Sequence, residues 1–378
     1  MFLMRTFKVN VNPEIIKWSI KNINMPEEVI IKKIGITKNI FDKWINNLDK
    51  PTYIQLQKLA KNVRVSPLIF LSDKPPNEEP MRVFRTYNNT DQKSYDTLLM
   101  IKRITFLQDV VYNLYNNLNL RKEANIERYS IKTNPKEIAE NERKKFFDLD
   151  NQLQSKTKYD VLRKFRTQVE DNNILVMQFP FEDIRGLSLI DKNPYIIVLN
   201  SRDDPTSRIF TLFHEYAHIL LGINELDEDS NYSSSDKIEK WCNNFASYFL
   251  ISDDRIKQYV DKFDNIDKIV TSISNRYKLS YSMIFYRLYK LNYIQSYETE
   301  YDKFIKRKEQ IKNTTSSGGN YIVNIKTEYG NKFINIVNEN YEKGEITLNE
   351  ALTYLGIKIK TYDKLMEASG LNCGNLWM

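Results

Sequence analysis

The stretch DPTSRIFTLFHEYAHILLG, residues 204–222, decides how this 378-residue chain is interpreted. Asp204 is a good helix N-cap, Pro205 suits the first helical position, and Gly222 suits the C-terminal cap. Between these signals the apolar side chains point in nearly every direction around a helix, as they do in a buried one. We therefore expect one helix with both ends capped, inside a domain core.

The same stretch holds the only two histidines of the chain, His214 and His218. At about 100° per residue, these two and Glu215 project into one arc of an otherwise apolar helix. Buried polar groups need partners, and one zinc ion would satisfy all three, with two imidazoles as ligands and the glutamate facing a water. This HExxH arrangement predicts peptide-bond hydrolysis, in which Glu215 passes a proton from water to the leaving amine. The alternative is two satisfied core histidines that share this spacing by chance.

A third protein ligand must be a carboxylate or a cysteine, because no histidine remains. The candidates downstream are Glu225, Asp227, Glu228, Asp229, Asp236, Glu239 and Cys242. The first five lie in or beside an acidic loop that is typical of solvated surface, whereas Glu239 falls within the apolar arc of the next helix. A carboxylate at a core edge is costly without a cation, which favours Glu239. Cys242 is typical of a small core residue, and Asn243, one turn from Glu239, is a candidate to orient a ligand.

The remaining pattern predicts a mainly α fold with a small β-sheet, an α+β class. Three short apolar runs, 174–179, 186–191 and 194–200, are rich in β-branched residues and Tyr and are separated by turn residues. They predict strands that lead directly into the HExxH helix. Apolar residues at helical spacing lie on both sides of this region and predict helices there.

The N-terminal part is basic and its pattern is helical. Residues 1–75 contain 13 Lys and Arg against 6 Asp and Glu, which accounts for the whole net charge of +7. A helix, a turn at Gly35 and a polar helix beginning at Thr37 follow the order of a helix-turn-helix, whose second helix lies in the DNA major groove. The candidate DNA contacts are Thr37, Lys38, Asn39 and Lys43. A small helical bundle with a solvated basic face, which binds protein or nothing, is the alternative.

These motifs together resemble the ImmA/IrrE metallopeptidases, in the subgroup with an N-terminal Xre-type helix-turn-helix. The matching pieces are WINNLDKPTYIQLQKLAKNVRVSPLIFL, PPNEEPMRVFRT, ILVMQFPFEDIRGLSLI, PYIIVLN, RIFTLFHEYAHILL and IEKWCNNFASYFLIS. The resemblance implies a minimal zincin-like domain that binds one Zn²⁺ per chain. It implies His214, His218 and Glu239 as the zinc ligands and Glu215 as the catalytic acid and base.

The chain departs from this family only beside the site. Cys242 and Asn243 stand where the family usually has Ala-Asn, and residues 250–252 read Leu-Ile-Ser instead of Leu-Met-Pro. The resulting domain prediction is an Xre-type helix-turn-helix domain at 1–75, a linker at 76–94, the HExxH metallopeptidase domain at 95–255, a helix-turn-helix-like segment at 256–312 and a C-terminal helical region at 313–378.

The resemblance also implies a biological role. Peptidases of this family cleave helix-turn-helix repressors of mobile elements or stress regulons, so we expect a repressor protein as substrate. The N-terminal domain is expected to bind double-stranded DNA or the DNA-bound target. In the 274–294 segment, Arg276, Arg287 and the tyrosines are candidates to contact a substrate protein, with a packed structural helix pair as the alternative. The competing function is a DNA- or protein-binding regulator whose zinc site is structural or sensory.

Composition restricts where such a protein acts. The chain has two cysteines, Cys242 and Cys373, too few for a disulfide framework, and no CxxC pair that could hold a metal. Its N-terminus lacks the apolar run of a signal peptide, and no stretch reaches the apolar length of a membrane span. We therefore expect a cytoplasmic protein with no membrane partner.

Overall fold

The computed structural model describes residues 8–21, 26–63, 65, 67–72, 74–75, 94–120, 123–146, 157–223, 232–309 and 321–370. Within them the protein is mainly helical with one three-stranded sheet, which confirms the predicted α+β class. No helix in these ranges is long and apolar enough to cross a membrane. The chain divides into two compact units, Met1–Arg103 and Ile104–Met378. The predicted linker at 76–94 lies outside the described residues except for its last residue, and the predicted domain boundaries stay predictions.

The first unit is a cluster of short helices around one apolar core. Its helices are α1 (Pro13–Lys21), α2 (Glu27–Ile34), α3 (Lys38–Ile45), α4 (Tyr53–Val63) and a short 3-10 helix (Pro67–Leu71). Phe41 and Trp44 of α3 are buried in the core they share with the other helices. Gly35 ends α2 in the left-handed conformation, and the Thr37 side chain accepts a hydrogen bond from the Ile40 backbone nitrogen at the start of α3. The predicted turn and helix start are thus confirmed.

The sheet belongs to the second unit. Its strands are β1 (Ile174–Phe179), β2 (Gly186–Leu189) and β3 (Tyr195–Asn200), in the spatial order β1-β3-β2. β1 runs parallel to β3, and β2 runs antiparallel to it, with Gly186 opposite Leu199. The sequence prediction of three strands in this region is confirmed, and β2 lies at one edge of the sheet.

The rest of the second unit is helical. Its helices are α5 (Tyr95–Asn117), within which the division between the units falls, α6 (Pro135–Lys145), α7 (Lys158–Asp171), α8 (Pro205–Leu221), α9 (Tyr232–Leu250), α10 (Asp253–Lys262), α11 (Ile266–Tyr277), α12 (Tyr281–Lys290), α13 (Tyr297–Glu309), α14 (Tyr321–Glu342), α15 (Leu348–Leu355) and α16 (Ile359–Ala368). One apolar core reaches from Ile138 to Phe304 and includes the sheet and α8. It therefore continues across residues 255 and 256, where a domain boundary is predicted.

Aromatic side chains join α8 to its neighbours at the centre of this core. The Phe213 ring stacks on Phe249 of α9 at 4.0 Å between centroids, and meets Phe165 of α7 edge to face at 4.9 Å. Large rings buried in this geometry contribute both apolar area and oriented ring contacts. The HExxH helix is thereby held between two helices and the sheet.

The long helix α14 packs against β1 from the C-terminal part of the chain. Tyr329 contacts Phe179 edge to face at 5.5 Å. The helix is interrupted at Gly330, whose φ of 78° is a left-handed value. The buried Arg166 guanidinium lies against this glycine and donates hydrogen bonds to the backbone oxygens of Thr327 and Val176. Arg166 therefore connects α7, β1 and α14.

Candidate active site

Helix α8 has the caps that its sequence predicts. The Asp204 side chain accepts a hydrogen bond from the Thr206 backbone nitrogen at 3.0 Å, and Gly222 takes the left-handed conformation with φ 67°. Arg128 donates a hydrogen bond to the Ile219 backbone oxygen, which also accepts from the Gly222 backbone nitrogen at this end of the helix. A cation at a helix C-terminus is also favourable for the helix dipole. Sequence reasoning missed Arg128, because it comes from a segment far away in the chain.

Three side chains converge on one face of α8. The Nε2 atoms of His214 and His218 are 3.2 Å apart. Glu239 of α9 reaches both of them, with Oε2 at 3.3 Å from the His214 Nε2 and Oε1 at 3.4 Å from the His218 Nε2. Both histidines are buried, and the Glu239 side chain is 28% exposed. The structure therefore brings together the three residues that the sequence singles out as ligands.

The two imidazoles and the Glu239 carboxylate lie close enough together to share one metal ion. A zinc ion bonded to nitrogen and oxygen at about 2.0 to 2.1 Å places its ligand atoms about 3.3 Å from one another. The two Nε2 atoms are 3.2 Å apart, close to that value, and each lies within 3.4 Å of one of the two Glu239 oxygens. The donor set of two imidazoles and one carboxylate also suits a catalytic zinc site, which uses three protein ligands and leaves one position open.

The charge state of Glu239 favours a cation as well. Burial raises the pKa of its carboxyl, but the hydrogen bonds and charges of His214 and His218 outweigh burial and hold the pKa well below its usual range. The group is therefore a carboxylate at neutral pH, as a metal ligand must be. Within the described residues, this trio is the group of His, Cys, Asp and Glu side chains that could hold a metal ion.

Glu215 lies next to β2. Its side chain is 1% exposed, and its Oε1 is 3.1 Å from the point where a Cβ on Gly186 would stand. Gly186 is the first residue of the edge strand, so the carboxylate faces the start of that strand. An extended peptide added to a sheet edge pairs its backbone with the strand there. The carboxylate would then lie close to the peptide bonds of such a substrate.

The other candidate ligands lie either away from the three ligand side chains or outside the described residues. Asp236 is exposed on α9, while Glu225, Asp227, Glu228 and Asp229 lie outside the described residues. Cys242 is fully buried in the core, and burial raises the pKa of its thiol, although the nearby His218 lowers it in part. Asn243 is half-buried on α9, and in the part of the chain that the structure describes no hydrogen bond joins it to the three ligands. Its orienting role stays a prediction.

A buried carboxylate, Glu142 of α6, is hydrogen-bonded to α8 through Tyr216. It accepts hydrogen bonds from the hydroxyl groups of Tyr216 and Tyr129, each at 2.9 Å, and from the Lys145 ammonium at 2.6 Å. Burial, then the neighbouring Glu142, raises the pKa of the Tyr216 phenol well above its usual value, so it stays a donor. Tyr216 lies between Glu215 and His218 in sequence, so this bond orients the helix that carries the site. The sequence does not predict this hydrogen bond, because Glu142 and Tyr216 lie on different helices 74 positions apart.

Arg287 is a structural residue. It is 1% exposed, donates to the Asp253 carboxylate and stacks over the Tyr248 ring at 4.0 Å. It therefore joins α12 to the start of α10. These contacts favour the interpretation of this segment as a packed structural helix pair over contact of Arg287 with a substrate.

The predicted DNA contacts of the first unit lie on its surface. Thr37, Lys38, Asn39 and Lys43 are all exposed on or beside α3. This placement leaves them accessible, and their role in DNA binding stays a prediction.

The comparisons with known proteins address the second unit. Residues 169–289 match the model of the peptidase family M78, described as the IrrE N-terminal-like domain. The M78-like region includes the sheet, α8, α9 and all four residues of the HExxH site. It supports the resemblance to the ImmA/IrrE family and metallopeptidase chemistry at this site. A comparison with curated proteins finds no match.

Proposed function

We propose that this protein is a zinc-dependent endopeptidase. The observation that carries the proposal is the meeting of His214, His218 and Glu239 in one cluster that could hold a metal ion, next to a buried Glu215. A structural zinc site is closed by four protein ligands and has no use for a carboxylate beside an open position. The M78 match over these residues supports the same chemistry.

In this proposal each residue has a separate task. His214, His218 and Glu239 would hold the ion, which when bound makes water a better nucleophile and polarises a peptide carbonyl. Glu215 accepts the proton of the attacking water and delivers it to the nitrogen of the leaving amine. Its near-complete burial keeps bulk water from competing for that proton. The strand β2, at the end of the strand order, would align an extended substrate beside it.

The proposed substrate is a helix-turn-helix repressor. Zinc-loaded protein incubated with the repressor encoded beside it should yield two fragments, and Glu215→Gln should yield none. Equal cleavage by this variant would refute the assigned role of Glu215. Absence of cleavage by the wild type would refute that repressor as substrate.

A regulator that acts by binding DNA is the second candidate. The exposure of Thr37, Lys38, Asn39 and Lys43 and the basic charge of residues 1–75 favour it. The double variant Lys38→Ala with Lys43→Ala should weaken a DNA mobility shift and lower its salt dependence by about one unit of slope per lost phosphate contact. The matched control replaces the exposed Lys21 and Lys61 of other helices. Equal loss in both double variants would argue against contacts by α3.

A further inference from the structure

The C-terminal helices α15 and α16 repeat the local geometry of α2 and α3. Both α15 (Leu348–Leu355) and α2 (Glu27–Ile34) have eight residues, and in each pair the second helix begins four residues after the first one ends. Gly356 ends α15 in the left-handed conformation, with φ 63° and ψ 31°. Gly35 ends α2 in the same way, with φ 79° and ψ 44°. The two pairs therefore share the length of the first helix, the length of the turn and the conformation of its glycine.

The same backbone hydrogen bond closes both turns. The Ile357 nitrogen donates to the Leu352 oxygen at 3.0 Å, and at the equivalent positions the Ile36 nitrogen donates to the Ile31 oxygen at 3.2 Å. The residue before the second helix is extended in both pairs, with a ψ of 157°. The two backbones thus turn in the same way between their helices.

Sequence and burial follow the same alignment. The 19-residue segments that begin with α2 and with α15, aligned on the turn glycine, are identical at four positions, which hold Gly, Ile, Asp and Lys. Phe41 and Trp44 are buried on α3, and their counterparts Tyr362 and Leu365 are buried on α16. A helix, a short turn with glycine and a second helix that buries one face follow the order of a helix-turn-helix.

The buried face of α16 is fixed to the long helix α14. The Tyr362 hydroxyl donates to the Asn338 side-chain oxygen at 2.9 Å, and its ring meets the Tyr341 ring edge to face at 5.8 Å. At the other end of α16, the Lys326 ammonium donates to the Ala368 backbone oxygen at 2.8 Å. These contacts hold one face of α16 against the unit, and the opposite face is exposed.

Lysines lie on the exposed face of α16. Lys360 and Lys364 are exposed there, and they stand at the positions that Asn39 and Lys43 occupy on α3. Lys358, just before the helix, is exposed as well. The start of the second helix, which enters the major groove in helix-turn-helix proteins, is therefore basic and accessible.

Two acidic side chains, Asp363 and Glu367, share this face with the three lysines. The face keeps a net positive charge. In the major groove a carboxylate accepts a hydrogen bond from the amino group of cytosine, and an apolar side chain contacts the methyl group of thymine. The exposed Ile359 offers such an apolar contact. This mixture suits recognition of base edges better than attraction to any polyanion.

We infer that α15 and α16 bind double-stranded DNA, with the start of α16 in the major groove. In this geometry the first helix crosses the backbone while residues at the start of the second helix contact base edges. The second unit would then hold a DNA-binding element of its own, in addition to the candidate contacts on α3. This inference does not depend on the proposed peptidase activity.

The test measures DNA binding by the full-length protein in a background without the lysines of α3, Lys38→Ala with Lys43→Ala. The probe is a pool of duplexes with about 20 random base pairs, enriched by repeated selection on this background protein. Fluorescence anisotropy at several salt concentrations then gives the affinity and its salt dependence. Adding Lys360→Ala with Lys364→Ala should weaken binding about tenfold or more and lower the salt slope by about one to two units.

Two controls separate contact from folding and from total charge. Lys257→Ala with Lys306→Ala removes the same charge from exposed positions of α10 and α13 and should leave the affinity within about twofold. Lys360→Arg with Lys364→Arg keeps the charge of α16 and should retain most of the binding. Circular dichroism checks the fold of each variant.

Three results would overturn the inference. The first is a background protein that binds and enriches no duplex. The second is unchanged affinity after removal of the two lysines of α16. The third is an equal loss in the control at Lys257 and Lys306, which would reduce the effect to total charge.

Discussion

The carboxylate of Glu215 lies against the space that a side chain at Gly186 would fill, although 29 positions separate the two residues in the chain. A Cβ at Gly186 would stand 3.1 Å from the Glu215 Oε1, 2.9 Å from the Val198 backbone oxygen and 2.5 Å from the Thr211 Cγ2. Only a residue without a side chain lets the edge strand approach the HExxH helix this closely. The distance between catalytic carboxylate and strand therefore depends on this glycine.

The first prediction concerns that contact. Gly186→Ala should displace β2 from α8, lower the free energy of unfolding by about 1 to 3 kcal/mol and reduce peptidase activity. Chemical denaturation and cleavage of a peptide library measure the two effects. Adding Thr211→Ser removes the nearest overlapping atom and should recover part of the stability. An unchanged unfolding midpoint in Gly186→Ala would contradict the close approach.

The second prediction concerns the third metal ligand. Glu239→Ala should lose most of the zinc that the wild type retains after gel filtration, because two imidazoles alone bind the ion weakly. Metal analysis of the purified proteins measures this loss, with circular dichroism to confirm folding. Asp236→Ala, at an exposed acid of the same helix, is the matched control and should keep its zinc. The reverse result would make Asp236 the ligand.

The third prediction concerns the kink in α14. Gly330→Ala would place a Cβ 2.6 Å from the Arg166 Cζ, whereas Gly344→Ala meets no atom within 4 Å. Both glycines have positive φ values, 78° and 71°, and Gly330 also has a ψ of 155°, a combination that essentially only glycine adopts, so backbone strain adds to the overlap there. Gly330→Ala should therefore destabilise the protein by about 1 to 3 kcal/mol more than Gly344→Ala in urea unfolding. Equal destabilisation would contradict a cost of either kind at Gly330.

The fourth prediction concerns the buried Arg287. Its partner Asp253 also accepts from Lys136 at 2.6 Å, so Asp253→Asn removes a negative charge that two cations share. Breaking a buried pair on one side costs about 3 kcal/mol or more, which should appear as a lower unfolding midpoint. The neighbouring exposed Asp254 supplies the control, since Asp254→Asn should change stability by less than about 0.5 kcal/mol. Similar midpoints for both variants would refute a stabilising role for this pair.

Much of the site could be predicted because its signals are local. The caps at Asp204 and Gly222 and the four-residue spacing of His214 and His218 are properties of one helix. Helical periodicity also predicts Glu239, because it places this carboxylate on the apolar arc of its helix.

The remaining features depend on contacts between distant parts of the chain. Arg128 at the end of α8 and Glu142 beneath Tyr216 carry no spacing signal that pairs them with the HExxH helix. The packing of α14 on β1 joins Arg166 to the Thr327 backbone across 161 positions. Periodicity predicts a helix and its buried face, but it does not say which face of another element covers it.

Cleavage of a library of randomised ten-residue peptides, followed by mass spectrometry, by zinc-loaded wild type and by zinc-loaded Glu215→Gln tests the central claim most directly. Both proteins should bind the same amount of zinc, since Glu215 is not among the proposed ligands, and only the wild type should generate products. A Glu215→Gln protein that retains zinc and cleaves at the wild-type rate would contradict the account.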